Sequence, residues 1–288
     1  MDRGLRGPSR TAVMVAVLRA HHREQPAPRV LDDWLALDLA GEQGRVLLAN
    51  MRKTWGPDGM ALGARWIAVR TRFVEDKVDE AVADRFHQYV LLGAGLDSFV
   101  YRRADLHDKL RVFEVDHPET QEWKRRRVAE LGIDTPPNLV FTPVNFETDT
   151  LGDGLASANF DFDSPAIFSW IGVTMYLTRD AIEETLTTIG GSRAGTRLVL
   201  TYDIPRHSLS PTAQAHYDRV STSAAALGEP FISLFEPAEI EQVLHRFGFQ
   251  VSSHFGPAEA VARYFGGQSI AVDGFQRLAV ASVGKADA

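Results

Sequence analysis

From residue 88 onward, short apolar runs alternate with longer amphipathic stretches. Five runs read as strands: residues 88–92, 111–115, 139–142, 166–170 and 197–202. They are four to six residues long and rich in Val, Ile, Leu and Phe, as expected of strands buried on both faces. Residues 119–131, 179–190 and 237–247 carry the helical period instead. Two late runs, 249–254 and 277–283, read as strands that would pair as an antiparallel edge hairpin. Strand–helix alternation predicts an α/β fold built on a doubly wound, mostly parallel sheet with helices on both faces.

The first third of the chain differs. Residues 11–24 and 35–53 look helical, with Pro26 and Pro28 between them. Residues 59–85 hold a long helical pattern marked by Met60, Ile67, Phe73, Val74, Val78 and Val82. Residues 1–85 are therefore expected to form an N-terminal helical extension packed on a core spanning 86–288. Between the fifth strand and the helix at 237–247 lies a stretch rich in Pro, Ser and His. This insertion, residues 203–236, is expected to cover the sheet's carboxyl rim as a substrate cap.

Composition narrows the function. No run of eighteen apolar residues is present, so no membrane span is expected. Arg3, Arg6 and Arg10 precede the apolar run Thr11–Leu18, a pattern that mimics a secretory signal. That run is short and leads into Arg19, His21, His22 and Arg23 without a small-residue cleavage site, so it reads as an amphipathic helix. The chain has no cysteine, which excludes disulfides and thiolate chemistry and suits a cytoplasmic protein. A net charge of -7 argues against nucleic-acid binding. The one basic cluster, Lys124 to Arg127, reads as a solvated helix face. No metal-ligand spacing appears.

The most informative chemistry lies at the strand ends. The first strand runs into Gly93-Ala-Gly95, and the second ends in Asp116. Glycines let the backbone approach a ligand closely, and an acid here can accept from both hydroxyls of a ribose. A dinucleotide fingerprint needs a third glycine or alanine where Ser98 stands, and Asp97 in that turn would repel a pyrophosphate. S-adenosylmethionine, with its positive charge and no phosphate, fits the turn better than a nicotinamide dinucleotide. Gly93, Asp116 and Asn145 all follow strands and should gather on one rim. Glu114, two residues before Asp116, would either help position the cofactor or be a buried acid paired with an arginine. Trp170 and Met175 read as core or pocket wall.

Several segments together resemble the leucine carboxyl methyltransferase family, and more closely its bacterial O-methyltransferases of small-molecule, including secondary, metabolism. They are Val69–Asp76, Leu91–Ser98, Val112–Pro118, Ser169–Leu177 and Phe235–Glu239 with Gly248-Phe249. The resemblance spans about residues 60 to 250. It implies a Rossmann-like core, S-adenosylmethionine as cofactor and roles for particular residues. Arg70 matches the arginine that reads the cofactor's carboxylate, a task suited to a guanidinium fork. Gly93, with Gly95 in the same turn, matches the glycine beside the methionine moiety, and Asp116 matches the ribose acid. Asn145 and Phe146 match the pair flanking adenine. Two positions depart from the family: Asn145 stands where Asp is common, and Ile171 stands where strand four often carries a glutamate.

Methyl transfer from a sulfonium needs an aligned acceptor and exclusion of water. A carboxylate acceptor is already ionised and needs no base, whereas a hydroxyl benefits from one. Tyr202, Asp203, His207 and His216 are the candidate bases, and Tyr202 or His207 is expected to face the acceptor. The implied activity is methylation of a carboxylate or hydroxyl on a small-molecule acceptor. The alternatives are methylation of a protein C-terminal carboxylate and a non-catalytic cofactor-binding protein.

Overall fold

The computed structural model describes residues 8–266, 271–272 and 274–284; Arg3 and Arg6 lie outside them. In chain order the helices are α1 (Arg10–Glu24), α2 (Ala36–Ala83), α3 (Phe99–Arg102), α4 (Pro118–Glu130), α5 (Leu151–Ser157), α6 (Arg179–Gly190), α7 (Pro211–Ala226), α8 (Pro237–Arg246) and α9 (Pro257–Tyr264). The strands are β1 (Gln88–Leu92), β2 (Arg111–Asp116), β3 (Leu139–Pro143), β4 (Ile167–Trp170), β5 (Arg197–Asp203), β6 (Phe249–Phe255) and β7 (Gln276–Val283).

The strands form one sheet in the order β3-β2-β1-β4-β5-β7-β6. β1 to β5 are mutually parallel, and β7 runs antiparallel to both β5 and β6. The two late strands do pair with each other, but only β6 is at the edge; β7 is interior, between β5 and β6. The strand order reverses between β1 and β4, and the chain emerging from those two strands borders a crevice of the kind that takes ligands in open α/β sheets.

Alternation along the strands feeds two apolar layers. Val90, Leu92, Phe113, Val115, Phe168 and Leu200 pack with Leu151, Ile182, Leu186 and Ile240. Tyr89, Leu91, Val112, Ile167 and Val199 pack with Val69, Phe73, Val74 and Val78 of α2. The sheet is thus covered on both faces, which is why its strands carry few polar residues. α1 and the first half of α2 form a third cluster around Val13, Val17, Leu39, Leu48 and Met60.

The two long helical patterns anticipated before residue 86 form one run, α2, with non-helical backbone at Gly41 and Gly56. Pro57 follows Gly56 and starts the last segment, where its missing N–H costs nothing. The segment 203–236 also holds a regular helix, α7, capped by Ser210, whose hydroxyl accepts from the Ala213 amide. Among the described residues, no helix is long and apolar enough to cross a membrane.

Candidate active site

A cavity of about 350 Å³ opens at the carboxyl ends of the parallel strands, a size usual for small-ligand sites. Its floor is the turn after β1. The amides of Gly93 and Ala94 both donate to the carbonyl of Val115, at 2.8 and 3.0 Å, which pins the turn to β2. Gly93 and Gly95 have φ of 68° and 51°. A Cβ on Gly93 would lie 2.3 Å from Cγ2 of Val173, so this position has room only for hydrogen.

Asp116 ends β2 beside that turn and lines the cavity. Its carboxylate accepts from the Gly95 amide through Oδ2 and from the His117 amide through Oδ1, the latter at 2.6 Å. Burial pushes its pKa up, and these two amides pull it back only in part. Asn145 and Phe146 follow β3 and line the cavity on the same side. The Asn145 side-chain oxygen accepts from the Glu147 amide at 3.1 Å. The Phe146 ring lies 6.4 Å from that of Trp170.

Arg70 reaches the opposite end of the cavity from α2 and is buried. Its Nη1 donates to Oε1 of Gln276 at 2.7 Å, and its guanidinium lies against Gly172, where a Cβ would be 2.7 Å from Nη2. Trp66 Nε1 donates to the same Gln276 oxygen at 2.8 Å, while Gln276 Nε2 donates to Asp203 at 2.6 Å. Arg72, two residues on, points away and pairs with Asp76 at 2.7 Å.

The start of α1 roofs the glycine turn: a Cβ on Gly95 would meet that of Ala12 at 3.1 Å. Ser9 caps this helix and is held from two sides. Its amide donates to Thr120 at 3.3 Å, and its hydroxyl donates to Glu229 at 2.9 Å. Glu229 also accepts from the Thr11 amide at 3.3 Å. The N-terminal helix and the segment after α7 therefore meet over the cavity.

The two bases expected from the sequence stand elsewhere. Tyr202 and Asp203 are neighbours on β5 and point to opposite faces. Asp203 lines the cavity, whereas Tyr202 is buried away from it, with its hydroxyl 2.8 Å from His254 Nδ1. His207 follows the strand on an exposed turn, its side chain 81% accessible and 3.6 Å from Glu236. Neither lines the cavity; His216 does, from α7. The basic cluster also departs from expectation. Lys124 is not solvated: it is buried, and its ammonium donates to Glu114 at 2.6 Å. Glu114 is thus a buried acid, paired with a lysine rather than an arginine. Gln276 and Glu229 were not anticipated, because nothing near them in the chain marks their contacts with residues about two hundred positions earlier.

These donors and acceptors fit S-adenosylmethionine. A buried guanidinium suits its carboxylate, a bare glycine turn suits close backbone approach, a rim acid suits a ribose diol, and an amide beside a ring suits adenine. The family model for leucine carboxyl methyltransferases matches residues 12–190. The chain belongs to this family. A Bacillus subtilis protein named as an S-adenosyl-L-methionine-dependent methyltransferase, YktD, is 27% identical over 94% of this chain and 95% of its own length. A Frankia alni protein named to the same class is 35% identical, over 66% of this chain and 67% of its own length. Among solved structures, a DUF574 family protein of Streptomyces avermitilis covers 93% of this chain and 96% of its own, with a TM-score of 0.60 at 13% identity, a likeness of fold. The chain is a methyltransferase that uses S-adenosylmethionine.

Proposed function

We propose that this member of the family is an O-methyltransferase acting on a small molecule, at a carboxylate or a hydroxyl. The observation that carries the reading is the continuity of one cavity. It runs from Asp116 and Phe146, over the Gly93 turn, to Arg70, and on to His216 of α7 and Phe231 of the segment after it. In this reading Arg70, Gly93, Gly95, Asp116, Asn145 and Phe146 hold the cofactor, and residues 203–236 serve as the acceptor's cap.

The bound cofactor supplies an electrophilic methyl group on a cationic sulfur that leaves neutral. The chain's own residues bind and align. Arg70 takes a carboxylate in its fork, and Asp116 accepts from two hydroxyls. Val173 packs on Gly93 and keeps that turn bare. Ser9 and Thr11 tie the start of α1 to Glu229 over the site, and a covering of this kind serves to limit water at the reacting groups. That covering over part of the site favours a small acceptor over a protein chain terminus.

Incubation with methyl-tritiated S-adenosylmethionine and a fractionated extract tests this. Label in the small-molecule fraction supports the reading; label only in protein, released by mild alkali as methanol, would instead mark a protein carboxyl methyltransferase.

A further inference from the structure

A carboxylate and a hydroxyl make opposite demands on the wall that receives them. A carboxylate needs a cation and no base; a hydroxyl needs a base and tolerates acids. Among the described lining residues the Lys or Arg cations are Arg19 and Arg70. Arg19 is committed, donating to Asp33 and to the carbonyl of Leu96, each at 2.7 Å. Arg70 lies against Gly172 and Gln276, where the proposed cofactor carboxylate goes. Beyond it, the wall carries two buried acids, Asp203 and Glu229. An acceptor carboxylate there would meet two further carboxyl groups.

Tyr176, Phe231 and Phe275 line the same cavity with Met175 and Val220, and Tyr217 packs behind them. The Phe231 ring lies 5.6 Å from Tyr176 and 5.9 Å from Tyr217, and Tyr217 meets Phe275 edge-on at 5.6 Å. Interlocked rings of this kind offer flat apolar faces to a flat ligand. His216 lies on the same cluster, its ring 5.6 Å from Phe275. Phe275 precedes Gln276, the residue that bridges Arg70 and Asp203. The imidazole, Phe275, Gln276 and Arg70 thus line one cavity.

We propose that the acceptor is a flat, uncharged aromatic compound bearing a hydroxyl, and that His216 is its general base. The proposal rests on the O-methyltransferase reading above. A phenol, with a pKa near ~10, is protonated at neutral pH and gains from a base. Its proton passes to His216 as its oxygen forms a bond to the methyl carbon. The carbon–sulfur bond breaks, its electron pair stays on sulfur as a neutral thioether, and the imidazolium later returns the proton to water.

The test uses 2-naphthol and 2-naphthoate as matched probes, titrated calorimetrically into the full chain loaded with S-adenosylhomocysteine. Naphthol is expected to bind at least about tenfold more tightly than naphthoate. With tritiated S-adenosylmethionine it should yield an alkali-stable methyl ether. His216→Gln should keep cofactor and naphthol affinity while lowering kcat by about 10²-fold or more. Tighter binding of naphthoate, binding of neither probe, or no ether formed overturns the acceptor class. An unchanged kcat in His216→Gln overturns the base, and lost naphthol binding in that variant reduces His216 to a packing role. Failure of the wild type to bind S-adenosylmethionine would instead remove the reading beneath the proposal.

Discussion

Arg70 and Asp203 are held by the two ends of one amide. The guanidinium donates to Gln276 Oε1 at 2.7 Å, and Gln276 Nε2 donates to Asp203 at 2.6 Å. An antiparallel strand near the end of the chain thus orients an arginine from the N-terminal helices. Gln276→Leu keeps the bulk and removes both contacts, along with the one from Trp66. It should weaken S-adenosylmethionine binding by about tenfold, roughly the worth of one hydrogen bond to a charged group. Calorimetric titration checks this; unchanged affinity would mean that Gln276 is not what orients Arg70 for the cofactor.

The buried pair Lys124–Glu114 should dominate the stability of the β2–α4 unit. Lys124→Met leaves Glu114 buried without its cation and should cost about 3–5 kcal/mol, whereas Lys124→Met with Glu114→Gln should recover most of it. Burial pushes the Glu114 pKa up, against the pull of Lys124. For an acid with a raised folded-state pKa, stability is complete below the unfolded value of about 4.3 and is lost as pH rises through the folded one. The deficit of Lys124→Met should therefore shrink as pH falls. Urea unfolding of the variants across pH checks both statements, and a deficit that grows in acid would contradict them.

His22 gives the wild type an acid limit. It is buried in α1, and its Nε2 accepts from the Val30 amide at 3.2 Å. Burial first, then nearby Arg29 and Arg65, pull its pKa down to about 4. A histidine held neutral in the fold contributes stability above its unfolded pKa, near ~6.5, and loses it as pH falls toward the folded value. Between those limits His22 should account for about 3 kcal/mol of lost stability, and His22→Gln should flatten that part of the profile. Thermal unfolding at stepped pH would show it; parallel profiles for both proteins would assign the acid limit elsewhere.

The parallel strands were legible because each is a short, nearly unbroken apolar run bounded by turns. β1 was expected at 88–92 and is found at Gln88–Leu92; α6 was expected at 179–190 and is found at Arg179–Gly190. The rim that gathers Gly93, Asp116 and Asn145 follows from those strand ends. What was hidden depends on distant pairing. α5 carries Gly152 and Gly154 in seven residues and gives little helical signal. The place of β7 beside β5 follows from its pairing with residues 197–203, far back in the chain. A basic run such as Lys124 to Arg127 looks solvated until the strand acid opposite Lys124 is known. Tyr202 and Asp203 are equally plausible bases by type, and only the side of the sheet each faces separates them.

The most direct test of the central claim is calorimetric titration of S-adenosylmethionine into the full chain, with NADH as control, repeated on Arg70→Ala and Asp116→Ala. The proposed site predicts one saturable site for S-adenosylmethionine, none for NADH, and affinity reduced at least about tenfold in each variant while the fold is retained. Full-strength binding in both variants, or NADH binding in place of S-adenosylmethionine, would contradict the assignment of this cavity.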